Sequence, residues 1–187
     1  MPILGIIASS HFNFVPTGSF SSIATVTVGA GGSSTISFSS ISGTYQHLQL
    51  RYIARDTGTG GGGDNLAIRA NSDSGTNYTY HVLYGTGSAA GASSNTGRTN
   101  SYTGLVSNGG NTASVFTAGV VDILDYSSSG SKYKTFRSLS GYDSNGGGIV
   151  AMESCVWMNT NAITSLDITC TSGNFAQYSS FNLYGVK

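Results

Sequence analysis

The chain has 187 residues, of which 9% are charged, with 8 basic and 8 acidic side chains and a formal net charge of zero. That balance excludes the clustered basic face of a nucleic-acid binder, and 39% apolar content with 11 tyrosines and 8 phenylalanines excludes a disordered chain. No stretch approaches a membrane span, so neither nucleic acid nor a membrane is an expected partner.

The chain opens Met1-Pro2-Ile3-Leu4-Gly5-Ile6-Ile7-Ala8-Ser9-Ser10. It has no basic first segment and its apolar run is short and interrupted, so it does not read as a secretion signal. With Pro2 and Pro16 near its limits, residues 1–16 read either as an edge strand or as a separable apolar arm, with Ile3, Leu4, Ile6 and Ile7 as its docking side chains. Residues 17–187 are expected to form one domain.

Strand signals then recur, with no helical period. Phe20–Val28 alternates, and Gly29-Ala30-Gly31-Gly32 predicts a hairpin into Ser33–Phe38. Tyr45–Arg55 is the longest alternating run, with Leu48, Leu50, Tyr52 and Ala54 on one face and His47, Gln49, Arg51, Ile53 and Arg55 on the other. A glycine-rich loop leads to Asn65–Ala70, and Tyr78, Tyr80, Val82 and Tyr84 share one face of the next strand. Gly85–Thr99 is almost all small and polar, and predicts a long exposed loop. Ser101–Val106 reads as a short strand and Ala113–Tyr126 as a long one whose Ala118–Leu124 stretch is apolar enough to be central. A four-residue loop into Ser131–Gly141 would set Asp125 opposite Lys132. The last strands are Ile149–Met158, Ile163–Cys170 and Tyr178–Val186; in the last, Phe181, Leu183 and Gly185 face inward and require pairing inside a sheet. The expected fold is all-β: a two-sheet antiparallel β-sandwich, jelly-roll-like, of about ten strands. If Ile149–Met158 and Ile163–Cys170 pair as a hairpin, Cys155 and Cys170 lie roughly 13 Å apart and stay as two buried free thiols.

Chemistry-bearing patterns are sparse. Gly58-Thr59-Gly60-Gly61-Gly62-Gly63 fits a dinucleotide-binding glycine pattern, but a strand follows where that motif needs a helix. Glu153 is the single glutamate, and Asp122 and Asp125, three apart in a strand, point to opposite faces; no carboxylate pair for glycoside hydrolysis is legible. His11, His47 and His81 lack metal-ligand spacing. The Asp56/Asp64 and Asp73 loops carry ligand types that suit calcium, without an EF-hand series, and no cofactor is assigned. Tyr45, Tyr78, Tyr102, Tyr126 and Tyr142, at strand ends or near loops, allow sugar stacking, although most tyrosines on a sandwich are half-buried packing residues. Asp56, Asp64, Asn95 and Arg98 are the candidate ligand-contact residues of the two polar loops.

The opening ten residues, Asp122-Ile123-Leu124-Asp125-Tyr126 with Lys132-Tyr133-Lys134-Thr135, and Gly173-Asn174-Phe175 with Phe181-Asn182-Leu183-Tyr184-Gly185 resemble small virion proteins of tailed bacteriophages, including phages of cyanobacteria. The resemblance implies a non-enzymatic cement or decoration protein: a homotrimer on the outer capsid that braces the major capsid protein, assembled in the host cytoplasm. It also implies an alternative, a receptor- or carbohydrate-binding module of a tail fibre or tailspike that contacts a host surface glycan.

Overall fold

A computed structural model describes residues 19–60 and 62–187; the arm residues Ile3, Leu4, Ile6 and Ile7 lie outside the described residues. Twelve strands are formed: β1 (Phe20–Thr27), β2 (Ile36–Phe38), β3 (His47–Ala54), β4 (Gly63–Ala70), β5 (Tyr78–Gly85), β6 (Ala90–Arg98), β7 (Ser101–Ser107), β8 (Thr117–Leu124), β9 (Lys134–Asp143), β10 (Gly148–Trp157), β11 (Leu166–Cys170) and β12 (Ser180–Val186). They make an eight-stranded sheet in the order β1-β12-β3-β8-β9-β10-β5-β6 and a four-stranded sheet in the order β2-β11-β4-β7. Every strand pair is antiparallel.

The order resolves into ribbons. Each of the successive pairs β1/β2, β3/β4, β7/β8 and β11/β12 sends one strand to each sheet, so that β1-β12-β3-β8 faces β2-β11-β4-β7. This double wrapping is the jelly roll. The hairpins β5–β6 and β9–β10 are insertions that extend the larger sheet beyond β8. Three sequence expectations are corrected here. Phe20–Val28 and Ser33–Phe38 do not form a hairpin, because β1 pairs with β12 and β2 with β11. Likewise β10 and β11 belong to different sheets. Gly85–Thr99 is not a long loop: Thr86–Ala89 make a tight turn, closed by a 2.9 Å bond from the Thr86 amide to the Ala89 carbonyl, and β6 then pairs with β5. Small polar side chains suffice there because β6 is an edge strand with almost no core to fill.

The alternation fixes what is inside. Leu48, Leu50, Tyr52 and Ala54 of β3 are buried against a layer that includes Leu66, Ile68 and Ala70 of β4 and Leu166 and Ile168 of β11. The final strand lies between β1 and β3, with Phe181 and Leu183 fully buried and Phe181 edge-on to Phe175 at 4.8 Å. Burial of each of these two side chains contributes roughly 1.5–3 kcal/mol. Both cysteines are free; Cys155 is buried, while Cys170 is only half-buried, short of the expected burial. Lys132 donates to Asp125 at 2.9 Å across the β8–β9 turn, as the loop length predicts.

Candidate functional site

The extension leaves an unusual distribution of polarity on β9 and β10. Strand β7 is the free edge of the smaller sheet and lies against the larger one, so its unpaired backbone groups need partners. Side chains of the larger sheet supply them. Ser140 Oγ accepts from the Leu105 amide at 3.0 Å, the Tyr52 hydroxyl donates to the Leu105 carbonyl at 2.9 Å, Cys155 Sγ donates to the Tyr102 carbonyl at 2.6 Å, and Thr117 Oγ1 accepts from the Ser107 amide at 2.7 Å. Beside Ser140 on the inner face of β9 and β10 lie Ser138 and Glu153, all three buried. Ser138 donates to Glu153 Oε2 at 2.9 Å, and burial, offset only in part by that bond, pushes the Glu153 carboxyl up to about 7.

With polar groups inside, the apolar residues of the same strands face out. Directly paired across the sheet are Ala92 and Leu83, Leu83 and Met152, Met152 and Leu139, then Leu139 and Val120. Val150 and Ile53 stand in the adjacent row. Leu83, Met152, Leu139, Val150 and Ile53 are each at least 50% exposed. The next row on the other side is polar: His81, Ser154, Arg137, Asp122 and Gln49 stand opposite one another in turn. Gln49 donates to Asp122 at 2.8 Å, and Arg137 lies 3.9 Å from the same carboxylate. A groove of about 520 Å³ runs between the rows, bounded by His81, Leu83, Arg137 and Met152. Five strands at about 4.8 Å spacing give an apolar strip about 20 Å across and roughly 250 Å² in area. A standard protein interface buries about 800 Å² per partner, so the strip has the size of an interface centre and the polar row that of its rim.

The sequence pattern contains the signal for this strip but does not name it. Phe136 and Trp157, both fully buried, set the phase of β9 and β10; counting outward by twos from either puts Leu139, Val150 and Met152 on the opposite face.

The candidate contact residues are placed as follows. Asp56 and Asp64 meet at one end of the sandwich, a carboxyl oxygen of each within 3.0 Å of where a Cβ on Gly58 would sit. Asn95 lies exposed on β6, its Oδ1 accepting the Thr96 amide at 2.8 Å. Arg98 ends β6 and stacks over Tyr102 at 4.0 Å and Tyr80 at 5.9 Å, which makes its guanidinium part of the packing between β5 and β7. Arg51, on the outer face of β3, lies over the rings of Phe20 at 5.1 Å and Tyr184 at 4.9 Å. Among the described residues no helix is long and apolar enough to cross a membrane, and no group of three or more His, Cys, Asp or Glu is placed to share a metal ion.

The fold and this face define a jelly-roll β-sandwich whose larger sheet carries an apolar strip on its outer face. Set against known protein families, curated proteins and solved structures, the chain matches none.

Proposed function

We propose that the chain is a non-enzymatic structural protein of a tailed-phage particle, a cement or decoration protein that forms a homotrimer on the outer capsid and stabilises the major capsid protein shell. The observation that carries this reading is the inverted polarity of β9 and β10, with Glu153, Ser138 and Ser140 inside and Leu139, Val150 and Met152 outside. The outward apolar side chains add little to this domain's own core, and exposing them is costly unless another surface covers them. In this reading the shell subunit covers the strip, and the arm with Ile3, Leu4, Ile6 and Ile7 supplies a second contact. The near-absence of charge from the strip suits a permanent assembly more than a steered, transient encounter.

The test is a double substitution, Leu139→Lys with Met152→Lys. Both side chains are more than half solvated or close to it, so the fold loses only about 1 kcal/mol, while occupancy on reconstituted particles drops severely. Full occupancy by the folded variant would exclude this face.

A second reading is a receptor- or carbohydrate-binding module of a tail fibre or tailspike, favoured by the exposed Phe20 ring beside Arg51 and Tyr184. Copy number decides between the two: hundreds of copies per virion exclude the tail module, and a handful excludes the cement protein.

A further inference from the structure

One end of the sandwich gathers the segment after β3, the start of β4 and the loop after β7. Asp56 bridges to Phe175, and its amide donates to the Ser107 carbonyl at 2.9 Å. The residue is 1% exposed. Its Oδ1 accepts from the Gly58 amide at 2.7 Å, whereas Oδ2 is buried with no hydrogen-bond partner. Facing it is Asp64: a Cβ built on Gly58 would lie 2.8 Å from Asp64 Oδ2 and 3.0 Å from Asp56 Oδ1, so a larger residue there would displace the carboxyls. Asn108 closes another side, donating from Nδ2 to the Gly60 carbonyl at 2.9 Å and to Asp64 Oδ2 at 3.3 Å, and accepting from the Gly110 amide at 3.1 Å.

A buried carboxyl facing a second, half-buried one requires compensation, by a shared proton or by a cation. Arg55 supplies only a small part of it. Arg55 spends its guanidinium on the carbonyls of Asn111, Thr112 and Val115, and none of the ion pairs among the described residues includes Asp56 or Asp64. We propose that Asp56 and Asp64 are the anionic ligands of a calcium site, completed by neutral oxygens of the surrounding loops. The orphan Oδ2 of Asp56 points to the ion, because every other polar group named in this cluster has a partner. The metal class follows from the donors. The groups gathered here are carboxyl, amide and carbonyl oxygens. Loop-borne oxygens with adaptable geometry suit calcium better than magnesium, which demands a near-ideal octahedron. Only two charges place the affinity in the weak class, at about 10⁻⁴ to 10⁻³ M.

The competing compensation is the shared proton. Alkaline solution disfavours the proton and leaves the cation unopposed, so the two are best separated at about pH 8.

The experiment uses the full chain, compared at about pH 8 in chelator and in calcium chloride, with calorimetric titration by calcium chloride alone. One saturable site is expected, with a higher Tm; at ten times Kd the folded-to-unfolded ratio rises about 11-fold. Asp64→Asn, which keeps the shape and an oxygen facing Asn108, should weaken calcium binding more than about tenfold. Should that variant not fold, Asp56→Asn keeps the acceptor for the Gly58 amide and gives the same readout. A wild-type protein whose Tm and titration ignore calcium overturns the proposal and leaves the shared proton as the compensation. A folded variant that responds to calcium like wild type overturns the placement at Asp56 and Asp64.

Discussion

Replacing Glu153 by glutamine should stabilise the protein at alkaline pH and change little under mild acid. The carboxyl is 4% exposed, accepts one bond from Ser138, and titrates at about 7 instead of 4.5 because burial disfavours the charged form. The titratable groups that share its surroundings, the Tyr52 hydroxyl and the Cys155 thiol, are themselves raised by burial and stay neutral through this range. Between about 4.5 and 7 the folded chain holds a proton that the unfolded chain has lost, so stability falls as pH rises through that window and levels off above it. At ~1.36 kcal/mol per unit, the penalty at the alkaline end is about 3 kcal/mol. The amide of Glu153→Gln keeps the acceptor for Ser138 and carries no charge. Urea unfolding of both proteins at about pH 5 and about pH 8 measures the difference; the variant should gain about 2.5 kcal/mol on the wild type between the two conditions. Acidic groups elsewhere titrate alike in both proteins and cancel. A gap between variant and wild type that is equal at the two pH values would refute the assignment of a buried, protonatable Glu153.

Ser140→Ala removes the acceptor of the Leu105 amide at the free edge of β7, and the orphaned buried N–H should cost about 1–3 kcal/mol in urea unfolding. Gly119→Ala would place a Cβ 2.3 Å from the Tyr52 ring; that ring is buried and tied to Leu105, so a loss of at least about 2–3 kcal/mol and a lower Tm are expected. Deleting Met1–Ser10 should leave the Tm within a few degrees of wild type and abolish attachment to the particle; full occupancy by the truncated protein would rule out the docking arm.

Much of the architecture is legible because large side chains set the phase of their strands. Leu48, Leu50 and Tyr52, or Phe181 and Leu183, declare their inner face from a few residues of context, and all five are buried. Strand pairing is not local. Phe20 pairs with Val186 and Ser37 with Asp167, so a glycine turn between β1 and β2 looks like a hairpin although it carries the chain from one sheet to the other. Strand β6 is hidden for another reason: an edge strand that packs little needs no apolar residues, so Ala90–Arg98 has the composition of a loop. Asp56 and Asp64 are recognisable as ligand types in a glycine-rich segment, but their approach depends on Gly58 and on the Asn108 loop from a distant part of the chain.

The apolar strip was the least legible feature, and the reason bears on what the protein does. In an isolated sandwich, serines and a glutamate would face water and Leu139, Val150 and Met152 would face the core. On β9 and β10 the edge of β7 reverses this, since its free amides and carbonyls call for hydroxyl and thiol partners such as Ser140, Tyr52 and Cys155. That accounts for the inward Ser140 and Cys155, but it does not require an apolar exterior: threonine or glutamine at 139, 150 and 152 would satisfy the strands equally well and protect solubility. With only 9% charged residues and a net charge of zero, the chain has little electrostatic defence against self-association. In the proposed reading, the outward Leu, Val and Met contribute through a contact outside the domain. The double-lysine substitution probes that contact directly, because it changes the outer rows and leaves the Ser138–Glu153 interior untouched.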